Sequence, residues 1–484
     1  MTKRFTLFLL ALSLLLSACD SSTTAQKETV RVDGISASPE FFDFFDPSVH
    51  HELIIDVSKL NLDTLDMYMR KQYAKYGHYR ISTYVKAKLT VRENGKDVMV
   101  MEDVGLRTHG NIFSRYLIET DGSTMNTLHW RLSFDETFEL EEDTKDYKIR
   151  KQRTLFGLEN LVLKWNKTSQ GTYHASDPYI NESYAYGLYA KAGIPSSKAS
   201  LVHVVFRVNG RRIDQGVMTM VEPVDDAFLQ KRFPNDQDNG NLYKVLWQMQ
   251  AADFRKTDAI LFGIKDEEAN YFPPYDIKTN RKTNKGDDLK AFIRTYQYQH
   301  GDDLYKTLDQ TLVWDNFYAF NAMNYLIGNP DDLRYNNNNL YVYFSSGTDP
   351  RLYFIPTDLD KGLGLTDWNP DGYEMRSVLP FDTFTSNGFM PITPLLGKTI
   401  LSNEPTYKTA YQTELQRLIK DVFVYHDYLS AYRQAAKLYA ADVGKNQTQT
   451  TLKPMGLPGA IAVYYCEQIY KVRTLKPSTG QCGQ

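Results

Sequence analysis

Apolar and polar residues alternate through much of the first third of the chain. "HELIIDVSK" (51–59), "YVKAKLTVRE" (84–93), "DVMVMEDVGLRTHG" (97–110) and "LENLVLKWN" (158–166) put most of their apolar side chains on every second position. That is the period of a strand with one buried face. Asn94-Gly95, between the second and third runs, has the turn chemistry of a tight hairpin. An antiparallel sheet is therefore expected here.

The period changes at "DPYINESYAYGLYAKAGIPSS" (177–197), where Ile180, Tyr184, Leu188 and Tyr189 share a helical face and Gly193 and Pro195 end it. Two strands follow, "ASLVHVVFRVNG" and "RIDQGVMTMVEP", joined at Asn209-Gly210. Beyond residue 225 the helical period dominates in "DDAFLQKRF", "DDLKAFIRTYQYQ", "WDNFYAFNAMNYLIG", "TYKTAYQTELQRLIKDVF" and "HDYLSAYRQAAKLYAADVG". Between them "LYVYF" and "RLYFIP" read as a two-stranded element, and residues 268–288 as a polar insert. The expected class is α+β: a strand-rich N-terminal lobe, a helix-rich C-terminal lobe, and a ligand cleft between them.

The N-terminus sets the compartment. Lys3 and Arg4 precede an apolar run from Phe5 to Leu16, which is too short to cross about 30 Å of hydrocarbon. "LSAC" then resembles the processing box of bacterial lipoproteins. It makes Cys19 the expected lipidated first residue of a mature chain anchored to a membrane in the bacterial cell envelope, periplasmic or cell-surface. The expected divisions are a signal peptide (1–18), a lipid-anchored flexible tether (19–37), a strand-rich region (38–224), a helix-rich region (225–443) and a tail (444–484). In such an oxidising compartment Cys466 and Cys482, the two remaining cysteines, are expected to form a disulfide. A net charge of −3 with scattered lysines and arginines gives no nucleic-acid footprint. No cysteine or histidine spacing suggests zinc, and the His50–His51 pair reads as a surface loop.

The densest chemistry lies in "GNPDDLRYNNNNLYVY" (328–343) and "FIPTDLDKG" (354–362). Residues before the first strand of a hairpin and after the second lie at the same end. Asp331, Asp332 and the asparagine run should thus meet Asp358 and Asp360, an oxygen-rich group suited to Mg²⁺. Asn-rich turns and Asx caps account for the same residues without a site. The order loop aspartate, asparagine, hairpin, aspartate is also that of protein kinases, although HRD, DFG and a Gly-rich phosphate loop are missing.

Nine stretches in order resemble the CotH family of spore-coat-protein-H-like atypical protein kinases. They are "VGLRTHGNIFSR" (104–115), "RLSFD", "FGLENLVLKWN", "NESYAYGLYAKAGIPSSKASLVHVVFRVNG", "GVMTMVEPVDDAFLQKRF", "GNLYK", "YDIKTN", "DDLKAF", and the pair "GNPDD…NNLYVY" with "FIPTDLD". Thr357 and Pro330 stand where the family usually has tryptophan, and "TLHW" where it has a lysine. The resemblance implies a divergent protein-kinase-like fold that uses ATP and Mg²⁺ to phosphorylate proteins of the envelope or exported proteins. It makes Asp331 the catalytic-loop acid, with Asp332 the competing choice. Asn339, Asp358 and Asp360 become metal ligands, and Glu182 the helix acid. Lys164 is the lysine that reaches the phosphates, with Arg107 and Arg115 as alternatives. A non-catalytic lipoprotein that binds a partner or scaffolds an envelope structure is the second reading. A glycosidase with paired carboxylates is the third.

Overall fold

The computed structural model describes residues 29–110, 115–165, 180–247, 252–334, 336–363, 378–382, 392–442, 457–478 and 481–482. The expected signal peptide and Cys19 lie outside the described residues. Among these, no helix is long and apolar enough to cross a membrane.

A small hairpin, β1 (Val30–Val32) and β2 (Ile35–Ala37), and helix α1 (Pro39–Phe44) lead into the strand-rich half. This half contains β3 (His51–Val57), α2 (Lys59–Tyr76), β4 (Val85–Glu93), β5 (Lys96–Thr108), β6 (Trp130–Ser133), α3 (Lys145–Lys151), β7 (Asn160–Trp165), α4 (Asn181–Lys191), β8 (Ala199–Val208) and β9 (Arg211–Val221). The expected strands and both Asn-Gly hairpins form. What the alternating pattern did not show is closure: the sheet becomes a seven-stranded barrel ordered β3-β4-β5-β6-β7-β9-β8. The closing pair, β3 and β8, is parallel. Closure removes the unpaired edges of an open sheet. It also surrounds Leu53, Ile55, Leu106, Trp130, Leu163 and Phe206, all fully buried in one apolar cluster.

Helix α2 escaped the sequence reading because its buried stripe is only Leu62, Leu65 and Met69. Its ends are nevertheless well marked. The Ser58 hydroxyl accepts the Asn61 N–H, and Gly77 closes the helix at φ +74.

The second half contains α5 (Asp226–Arg232), β10 (Asn241–Val245), β11 (Phe262–Gly263), β12 (Tyr275–Ile277), α6 (Asp287–Tyr298), α7 (Gly301–Thr311), α8 (Trp314–Ile327), β13 (Leu340–Phe344), β14 (Leu352–Pro356), α9 (Pro394–Lys398), α10 (Pro405–Asp421), α11 (Tyr425–Tyr439) and α12 (Leu457–Thr474). Two expectations need correction. The two-stranded element is part of a five-stranded sheet, β11-β12-β10-β13-β14. The polar insert contributes one of those strands, β12, in which Tyr275 and Asp276 are buried. Strands this short carry too few positions to display a period.

Helix α8 is buried nearly all round, which fits its apolar sequence. Two of its asparagines, Asn316 and Asn321, act on backbone. The Asn316 amide donates to the Phe354 carbonyl at 3.0 Å and accepts the Phe354 N–H at 2.7 Å, fixing β14 against the helix. Gly328 ends α8 at φ +65, and a Cβ there would lie 2.6 Å from the Tyr464 hydroxyl. Cys466 and Cys482 are bridged as expected, with Cα atoms 5.8 Å apart.

The His50–His51 expectation also fails. His51 opens β3 fully buried, its Nε2 is 3.0 Å from the Asp46 carbonyl, and its N–H donates to the Tyr439 hydroxyl.

Candidate functional site

The site forms at one end of the β13–β14 hairpin. Leu340 pairs with Pro356, so Asn339 and Thr357 are neighbours, and the Thr357 N–H donates to the Asn339 carbonyl at 3.3 Å. Asn337, Asn339 and Asp358 hold left-handed φ values of +47°, +54° and +59°. Asparagine and aspartate tolerate that region better than other side chains with a Cβ. The asparagine run therefore has a conformational role. Its amides also serve: the Asn338 oxygen accepts the Trp247 N–H at 2.8 Å, tying the loop to the segment after β10.

The preceding loop is fixed from the end of α8. Asn329 donates from Nδ2 to the Asn324 side chain at 3.0 Å, and its oxygen accepts the Asp331 N–H at 3.0 Å. Asp331 then turns into the cluster. Its Oδ1 accepts from Asn336 Nδ2 at 2.8 Å, and its Oδ2 accepts from Asn339 Nδ2 at 3.0 Å and Lys361 Nζ at 3.2 Å. The same Asn339 nitrogen lies 3.0 Å from Asp358 Oδ2. One amide thus clamps the two aspartates. As a metal ligand it would present Oδ1 instead.

The barrel supplies the opposing cation. Lys164, on β7, places Nζ 2.7 Å from Glu182 Oε1 in the first turn of α4 and 3.5 Å from Asp360, and it also contacts Asp358 Oδ1. The Tyr186 hydroxyl, one turn along α4 from Glu182, accepts the Asp358 N–H at 2.9 Å. His129 lies behind this group, its Nδ1 accepting the Trp165 N–H at 2.9 Å. Burial first, and then Lys164, push it down to about 4, so it stays neutral.

Four carboxyl groups, from Asp331, Asp358, Asp360 and Glu182, make direct contacts with two ammonium groups, Lys164 and Lys361. Burial pushes Glu182 up to about 8 even with Lys164 beside it. Burial opposes ionisation of Asp358 too, but Lys164 outweighs it and holds that carboxyl well below the usual range. For Lys164, burial is overcome by Asp358, Asp360 and Glu182, so the ammonium is held firmly charged. Lys244 of β10 adds a third cation within electrostatic reach of Asp358. Glu182 is closed off, at 3% side-chain exposure, while Asp358 and Asp360 keep 42% and 39% open. A hard divalent ion with oxygen preference fits the open carboxylate oxygens of Asp358 and Asp360.

The other expected residues lie elsewhere. Asp332 is buried, and its Oδ1 accepts the Arg334 N–H at 2.9 Å instead of joining the cluster. Arg107 and Arg115 both donate to the Ile81 carbonyl, at 3.0 and 3.1 Å, and Arg115 approaches buried Glu267. No described contact links these arginines to Lys164 or Asp358. Sequence reasoning placed Asn336 here only as part of the asparagine run, and missed Lys361, Lys244, Tyr186 and His129. Lys361 directly follows the acidic string and could have been suspected. The others depend on which strands become neighbours.

Residues 107–453, most of the chain, match a family model described as CotH kinase protein. No curated protein matches the chain.

Proposed function

The chain belongs to the CotH kinase family, and from that premise we propose that it transfers a phosphoryl group from Mg-ATP to hydroxyl groups of proteins. The observation that carries this reading is the convergence on one cation. Lys164 from a barrel strand pairs with Glu182 from a helix and with Asp358 beyond a hairpin, while Asn339 joins Asp358 to Asp331. Protein kinases use the same ordered parts: strand lysine, helix glutamate, loop aspartate, asparagine, then metal-binding aspartate. By the same analogy the two halves correspond to the lobes of a divergent kinase-like fold.

Each residue has a defined task in this proposal. Asp358, supported by Asp360 and the Asn339 oxygen, would hold Mg²⁺. A bound Mg²⁺ there would supply positive charge to offset that of the phosphate during transfer. Glu182 fixes the direction of the Lys164 ammonium, which would bind phosphate. Asp331 would orient the acceptor hydroxyl and take its proton. Asn336, Asn339 and Lys361 hold the Asp331 carboxylate in place for that step. We further propose a lipid anchor at Cys19, which puts the acceptor proteins in the bacterial envelope or among exported proteins.

Calorimetry with Mg-ATP together with transfer of radiolabelled phosphate tests the proposal. Saturable binding that Asp358→Ala abolishes is expected. A protein that binds no nucleotide, or an Asp358→Ala variant that binds as wild type does, overturns the kinase reading in favour of a partner-binding lipoprotein.

A further inference from the structure

A second polar group lies where the barrel closes. His50 precedes β3, and His203 lies on β8, the strand paired in parallel with it. Asp442 follows α11. One ligand atom from each of the three falls within 4.8 Å of the others. His50 Nε2 lies 2.7 Å from Asp442 Oδ2, and His203 Nδ1 lies 3.3 Å from Asp442 Oδ1. Side-chain exposures of 24%, 3% and 10% for His50, His203 and Asp442 leave one approach open, on the His50 side.

The hydrogen bonding of His203 identifies what is needed between these atoms. Its Nε2 is 2.8 Å from Asp214 Oδ1, which is itself fixed by the Gly216 N–H at 2.9 Å. A carboxylate only accepts, so Nε2 carries the proton. The neutral ring then turns its Nδ1 lone pair towards Asp442 Oδ1 and, at 3.7 Å, Glu52 Oε1. Arg92 and Arg212 pair with Glu52, so the contact left to be bridged is that of His203 Nδ1 with Asp442 Oδ1, by a second ring proton or by a metal ion.

Three features favour the ion. Both histidines address the same carboxylate, one at each of its oxygens. The ligand atoms of His50, His203 and Asp442 converge within 4.8 Å of one another, so small side-chain shifts would bring them onto one ion with bonds of about 2.0–2.2 Å. The Asp214–His203 pair is the carboxylate–histidine arrangement that orients a metal-bound imidazole and fixes its tautomer.

We infer that His50, His203 and Asp442 bind a divalent transition ion of the zinc class, at a site that clamps the closing strands of the barrel to the end of α11. Two imidazoles and a carboxylate form a borderline donor set, unlike the all-oxygen cluster around Asp358. His50 lies outside the family-matched residues.

The test uses untagged protein, purified as the cell processes it, stripped with a chelator and titrated with Zn²⁺ against a chromophoric competitor. Expected is one tightly held zinc per chain that raises Tm and is retained by Asp358→Ala, which separates it from the proposed magnesium site. His203→Gln should abolish it, and Asp214→Asn should weaken it by about tenfold or more. Co²⁺ in the same site should absorb in the visible range. A wild type that takes up no zinc overturns the inference, as does a folded His203→Gln variant that binds zinc fully. The group would then be an imidazolium–carboxylate network. If His203→Gln does not fold, His50→Gln at the open side replaces it under the same criteria.

Discussion

Lys164 Nζ sits 2.7 Å from Glu182 Oε1, a contact that joins barrel strand β7 to helix α4. Because Glu182 is closed to solvent, this pair fixes both elements and the direction of the ammonium.

Lys164→Met should therefore leave a buried carboxylate without its cation. Breaking one partner of a buried pair costs about 3–5 kcal/mol. The penalty should depend on pH. Glu182 already titrates near 8, above an unfolded carboxyl, and losing Lys164 raises it further. A raised carboxyl contributes stability that is full at low pH and lost as pH rises through its folded value. Urea unfolding should thus show a deficit that is constant below about pH 7, where the carboxyl is protonated in both folded proteins, and that grows as pH rises through about 8 towards about 10. A deficit of equal size across that range would mean that Glu182 is not the titrating group.

Asp358 and Asp331 share the Asn339 clamp but should fail differently. Asp358→Ala should abolish Mg-ATP binding and turnover together. Asp331→Asn should leave nucleotide affinity nearly intact and lower kcat by about 10²–10⁴-fold, the range for loss of a positioned acid–base group. Asn339→Ala should resemble Asp358→Ala more mildly, since a neutral amide holds a dication less strongly. Equal loss of nucleotide binding in the Asp331 and Asp358 variants would contradict the division of labour.

Reducing the Cys466–Cys482 bridge should weaken the packing behind this loop. Helix α12 holds Tyr464, whose hydroxyl donates to the Leu326 carbonyl at 2.8 Å, near the end of α8 that leads to Asp331. Closing a loop of this length is worth about 3 kcal/mol in the chain-entropy account. Tm should fall on reduction of the wild type and stay unchanged on reduction of a Cys466→Ser/Cys482→Ser double variant, measured by scanning calorimetry.

The strands around Asn94-Gly95 and Asn209-Gly210 were legible because alternation and turn chemistry are local signals. The acidic hairpin end was legible for the same reason: pairing of Leu340 with Pro356 follows from a short turn. Barrel closure was not. The β3–β8 pairing joins residues some 150 positions apart, and no local pattern records it. This is also why the His50–His203–Asp442 group was missed, since its members meet only after that closure and the packing of α11. Lys164 was found by its position on a strand before the helix acid, whereas Lys244 depended on β10 inserting beside β13. Asp331 and Asp332 could not be ranked from their neighbours alone. The Asn329 turn decides which of the two faces the cluster.

That ranking yields the last prediction. Asp332 is buried, and burial raises its carboxyl to about 7 against the opposing pull of the Arg334 guanidinium. In the unfolded chain it titrates near about 3.9. The folded state therefore binds the proton more tightly, so this group's contribution is complete below about pH 4 and is lost as pH rises through about 7. Asp332→Asn keeps an oxygen for the Arg334 N–H and removes the buried charge. The variant should be more stable than wild type at about pH 8 and lose that advantage towards about pH 4, as read from urea midpoints. Its turnover should remain far above that of Asp331→Asn, because only Asp331 touches Asn339 and Lys361. Parallel stability profiles for variant and wild type would show that Asp332 is not the buried acid that titrates. Turnover as low as that of Asp331→Asn would return Asp332 to the catalytic role.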